Sequence, residues 1–77
     1  MSSTDDLPDA KKIAERAKHR ILHRPHLKMQ RIWCEFDQGR LYLRGQVPSF
    51  YLKQLAQEAV VGMEGVGQLI NDIQVVW

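Results

Sequence analysis

A chain of 77 residues, 44% hydrophobic and 26% charged, has room for one small domain and excludes a multidomain enzyme or a repeat array. Eleven Lys and Arg against nine Asp and Glu leave a formal charge of +2, and the apolar fraction is too high for wholesale disorder. The single cysteine, Cys34, rules out an internal disulfide, and no stretch approaches the roughly 18 unbroken apolar residues of a membrane-spanning helix.

The opening Met1-Ser2-Ser3-Thr4-Asp5-Asp6 is acidic and polar, without the basic and apolar regions of a signal peptide. The expected location is therefore the cytoplasm, or the envelope should the sequence be a piece of a longer protein. Residues 1–8 are expected to form a flexible tail, and residues 9–77 a single domain. Asp6-Leu7-Pro8-Asp9 reads as a helix start, because Asp accepts bonds from free first-turn amides and Pro tolerates the first turn. Ala10, Ile13, Ala14, Ala17 and Ile21 then recur at helical spacing, with Leu22 beside them. Pro25 disfavours helical geometry in the residue before it, so the helix is expected to stop at Arg24. Residues 25–30 read as a connector.

Charge is concentrated in this first third. Residues 1–9 carry −3, residues 10–31 carry eight cations against Glu15 alone, and residues 32–77 carry −2. A field of that kind attracts anionic surfaces, either lipid headgroups or nucleic acid; equally, such a face can serve only to keep a helix solvated.

Ile32-Trp33-Cys34-Glu35-Phe36-Asp37 and Arg40-Leu41-Tyr42-Leu43-Arg44 both alternate. A two-residue turn at Gln38-Gly39, where Gly supplies a positive φ, sets Phe36 opposite Leu41 and Cys34 opposite Leu43 on an apolar face. The same register sets Trp33 opposite Arg44 and Glu35 opposite Tyr42 on the other face, where a Trp–Arg cation–π contact is expected. Ser49 reads as the N-cap of a second helix with the stripe Leu52, Leu55, Ala56, Ala59, Val60 and Met63, broken by Gly62 and Gly65. Of Phe50 and Tyr51 at its start, one is expected to pack inward and the other to stay at the rim. Val66 to Trp77 reads as a strand with Leu69, Ile73 and Val75 on one face. Asn71 shares their parity, a conflict that a bulge or a hydrogen bond from its amide would resolve. The order is α-β-β-α-β. The economical arrangement is an α+β two-layer sandwich, a three-stranded sheet with two helices on one face; whether the last strand runs beside the second strand, in parallel, or beside the first stays open.

The spacing Ile32-x-Cys34-x-Phe36-x-x-Gly39-x-Leu41-x-Leu43-x-Gly45-x-Val47-x-Ser49 resembles the BON domain, named for bacterial osmotically inducible and nodulation proteins. The pattern continues through Ala56, Ala59, Val60, Glu64-Gly65-Val66, Asn71, Ile73 and Val75. The sequence departs from the family at Cys34, where a β-branched residue is usual, at Pro48, and in its unusually basic first helix. The resemblance implies a mixed sheet and a non-catalytic attachment module that contacts phospholipid or partner proteins, often in the bacterial envelope, with no catalytic residues to carry over. Gly39 is assigned to the turn, Gly45 to close approach of a helix or to a bulge, and Gly65 to a tight entry into the last strand.

His19 and His23 are four apart and share a helix face, but nearby carboxylates are lacking and cations surround them, so no metal is expected. Protonation of such histidines on acidification would add positive charge to the same face. Cys34 points inward, where thiols are inert, and Ser2, Ser3 and Ser49 have no matching base, so neither an enzyme nor a cofactor is expected. Gly62-Met63-Glu64-Gly65 spells the G-x-x-G clamp of KH-type RNA binders, yet here it reads as a helix stop before a strand, and Glu64 would repel phosphate.

The reading favoured is reversible attachment to anionic phospholipid, peripheral to the membrane, through Lys12, Arg16, His19, Arg20, His23, Arg24 and Lys28. Trp33, Tyr42, Phe50 and Tyr51 are candidate aromatic contacts. Two other readings stand beside it. One is nucleic-acid binding by the same face, with stacking on Trp33 and Tyr42. The other is protein interaction or self-association through a strand edge or the Trp33/Tyr42 face.

Overall fold

A computed structural model describes residues 9–76. The expected helix start at Asp6 to Pro8, and Trp77 at the end, lie outside the described residues. The element order is α1 (Asp9–Leu22), β1 (Arg31–Asp37), β2 (Arg40–Val47), α2 (Phe50–Val60) and β3 (Gln68–Val75). The three strands form one sheet in the order β1-β2-β3, with β1 antiparallel and β3 parallel to the central β2.

The hairpin has the register that alternation dictates, with Phe36 against Leu41 and Cys34 against Leu43. Its turn uses positive φ at both Gln38 (49°) and Gly39 (82°), the twist that suits a two-residue hairpin. The Gly39 carbonyl then accepts the amides of Gly67 and Gln68 at 2.8 and 3.1 Å, which ties the start of β3 to the hairpin tip. Ile32, Cys34, Phe36, Leu41, Leu43, Val47, Leu69, Ile73 and Val75 share one sheet face. They pack with Ala17 and Ile21 of α1 and with Ala56, Ala59 and Val60 of α2, so both helices cover that face. Ser49 caps α2, its Oγ accepting the Leu52 amide at 3.3 Å. The helix ends at Val60 because Val61 turns extended and Gly62 takes φ +76°.

Several details differ from the sequence reading. α1 ends at Leu22 rather than Arg24, although the His23 amide still donates to the His19 carbonyl at 3.1 Å. Leu22 lies outside the core and is 44% exposed. The connector is not featureless: Leu27 within it is fully buried. Gly45 admits neither a helix nor a bulge. A Cβ there would sit 1.9 Å from the Arg31 carbonyl oxygen, so it is the backbone of β1 that comes close. The helix approach is instead at Gly65, whose φ of +90° brings a would-be Cβ within 2.9 Å of Ile13 Cδ1. Asn71 needs no bulge. Its Nδ2 donates to the Lys53 carbonyl and to Gln57 Oε1, and its Oδ1 accepts the Ile73 amide, so its polar atoms are satisfied where β3 meets α2.

Candidate anionic-surface site

The apolar side of α1 faces the sheet, with Ala17 fully buried and Ile21 nearly so. At 3.6 residues per turn, the remaining surface divides into two flanks. One carries Lys12, Arg16 and Arg20 in a row at four-residue intervals, beside His19 and His23. The other, which lies over β1, carries Lys11, Glu15 and Lys18 and shares a groove with Trp33 and Cys34. The chain places like charges one helical turn apart, an arrangement that costs an isolated helix a few tenths of a kcal/mol per pair, on the order of 0.2–0.5. Among the described residues no carboxylate forms an ion pair with any of these side chains; the two ion pairs present both belong to Arg44. Glu64 lines a groove with Lys12 and Arg16 at the start of α1.

His19 and His23 meet edge to face with ring centroids 4.2 Å apart. Past them the chain folds through tight turns. The Leu27 and Lys28 amides both donate to the Arg24 carbonyl, at 2.9 and 3.1 Å, while Leu27 anchors the segment in the core. This keeps Arg24, His26 and Lys28 at the surface. The His26 ring lies 6.3 Å from that of Tyr51, so the turns sit against the start of α2. Phe50 and Tyr51 are both exposed, at 67% and 63%, where one was expected to turn inward. Met29 on the same turns is 88% exposed, an apolar side chain that neither periodicity nor spacing singled out.

The other two aromatic candidates are elsewhere. Trp33 and Tyr42 project from the sheet face that no helix covers, so α1 and this aromatic pair do not form one surface. Trp33 alone, on the edge strand, also reaches the groove beside Lys11 and Lys18. Arg44 is opposite Trp33 as expected, but its guanidinium lies over the Tyr42 ring, 4.9 Å from the centroid. It donates from Nε to Glu35 Oε1 at 2.5 Å and from Nη1 to Asp72 Oδ2 at 3.0 Å, spanning all three strands. The Glu35 hydrogen bond is the chief cause of its raised pKa. Glu35 lies diagonal to Arg44 within the expected hairpin register; only the Asp72 half of the clamp depended on the pairing of β3, which the sequence left open.

Cys34 behaves as a core group. Burial pushes its thiol up from 9.0 to about 11, with Lys18 pulling weakly the other way, so it is protonated and a poor nucleophile near neutral pH. The G-x-x-G segment joins α2 to β3 around the buried Met63, with Gly62 and Gly65 both at positive φ. No described helix is long and apolar enough to cross a membrane.

No curated protein matches the sequence significantly. The model of the BON domain matches residues 9–76, every element from α1 to β3. The chain thus belongs to the BON domain family, small non-catalytic modules of binding and interaction.

Proposed function

We propose that this domain docks reversibly on anionic phospholipid surfaces through the outer flank of α1 and the turns that follow it. Lys12, Arg16, His19, Arg20, His23, Arg24 and Lys28 supply the charge. Phe50 and Tyr51, with Met29, supply apolar contact at the headgroup boundary. The observation that carries this reading is the row of α1 cations left without carboxylate partners among the described residues, continuing into turns that abut exposed aromatics. Each basic side chain near such a surface contributes about 1 kcal/mol, so several hold a small domain weakly and reversibly. Docking is peripheral and requires no catalysis.

The test is co-sedimentation with vesicles of phosphatidylcholine, with and without phosphatidylglycerol. Binding is expected only to the anionic vesicles and is expected to weaken with salt. The double reversal Arg16→Glu/Arg20→Glu should reduce it by tenfold or more, on the order of 1 kcal/mol per charge, with an unchanged melting temperature. Equal pelleting with neutral vesicles, or none with either, removes the proposal. A gel shift with a steep salt slope, in the absence of vesicle binding, would redirect the same face to nucleic acid.

A further inference from the structure

The outer edge of β1 is a second surface, independent of the lipid reading. β1 is an edge strand, and its two-residue turn makes Asp37 and Arg40 a pair that exchanges both backbone hydrogen bonds. Alternation then directs the backbone groups of Arg31, Trp33, Glu35 and Asp37 towards β2, and those of Ile32, Cys34 and Phe36 outward. Of the outward groups, the Ile32 amide donates to the Gln30 carbonyl at 3.1 Å. Those of Cys34 and Phe36 have no backbone partner among the described residues. The strand carries no Pro and no bulge in its pairing, and its three charges, Arg31, Glu35 and Asp37, all share the open-face parity, none on the helix side of the edge.

The strand is also complementary to its own reverse. Laid antiparallel on a copy of itself about Cys34, Arg31 meets Asp37, Ile32 meets Phe36, Trp33 meets Glu35, and Cys34 meets its counterpart. Arg31 and Asp37 lie on the open sheet face, so the twofold creates two opposite-charge cross-strand pairs there. Ile32 and Phe36 lie on the helix side and form two apolar pairs. This register engages all seven residues. Sliding by two residues one way sets Glu35 against Glu35, and the other way loses Phe36 and Asp37 from the ladder. The helix flank beside this edge carries Glu15 between Lys11 and Lys18, the less charged side of α1.

We infer that β1 pairs antiparallel with β1 of a second copy of this chain, about a twofold at Cys34, to form a continuous six-stranded sheet. The helices of both copies then lie on the same side of that sheet.

Sedimentation equilibrium over a concentration series tests this. The unaltered chain should show a concentration-dependent monomer–dimer equilibrium. Arg31→Asp alone and Asp37→Arg alone each turn two attractions into repulsions, and should weaken association by about tenfold. The double variant Arg31→Asp/Asp37→Arg restores complementarity and should return association to near its original strength. On the unaltered chain, amide exchange at Cys34 and Phe36 should slow as concentration rises, a readout that needs no variant. A strict monomer at every concentration overturns the inference. So does a dimer that ignores both single reversals or is not rescued by the double.

Discussion

At the scale of single residues, Cys34 and Gly45 show how far alternation alone reaches. Alternation correctly turned Cys34 inward, and its burial has a consequence in solution. Between about pH 9 and pH 11 the thiol ionises in the unfolded chain while the folded one keeps its proton. The contribution of this group to stability is therefore full below pH 9 and is lost as the pH climbs towards 11. Urea midpoints measured from neutral to alkaline pH should fall faster for the unaltered chain than for Cys34→Ala. Parallel curves would mean that the thiol is open to water in the fold. Gly45 and Arg44 were less legible. A glycine in a strand signals a close approach, but which neighbour approaches depends on tertiary geometry, here the Arg31 carbonyl of β1. Arg44 was placed on the right face and opposite the right residue. It turns from the Trp33 ring to two carboxylates, Glu35 on the neighbouring strand β1 and Asp72 on β3, 28 residues away in sequence.

At the scale of elements, every helix and strand was legible from period, caps and glycines, and the errors gather at ends and connections. α1 stops two residues early because its final turns tighten to drive Leu27 into the core. A lone leucine between polar residues has no periodic partner, so nothing in the pattern marked it as an anchor. Asn71 is the opposite case, a visible conflict with a legible remedy. Its carboxamide joins β3 to α2 through the Lys53 carbonyl at 2.9 Å and the Gln57 side chain at 3.2 Å. Asn71→Ala leaves the Lys53 carbonyl and the Ile73 amide to find other partners, and should cost about 1–3 kcal/mol in chemical denaturation. Amide exchange should quicken in α2 and β3 with little change in α1. A variant as stable as the parent would show that water serves these groups equally well.

At the scale of the whole molecule, the two-layer arrangement was legible because only one layer of helices can cover the apolar parity of three strands. What the sequence left open was which candidate side chains share a surface. Parity puts Trp33 and Tyr42 on the face away from the helices, and Trp33, at the sheet edge, reaches only the Lys11/Lys18 flank of α1, not the Lys12/Arg16/Arg20 row. The proposed docking uses the helix side, so Trp33 should stay in water when the domain binds vesicles. In a Trp77→Phe variant, Trp33 emission should neither shift to the blue nor be quenched by brominated lipid; strong quenching would place the sheet face against the bilayer. The Arg44 clamp adds a final consequence. Arg31, Arg40 and Arg44 are matched in number on the open face by Glu35, Asp37 and Asp72, so that face is electrically silent while α1 is strongly positive. Within a Debye length of a negative plane, about 8 Å at physiological salt, such a molecule feels a torque as well as a pull. Under the proposed docking it would rotate before it touches, and arrive with α1 already facing the plane.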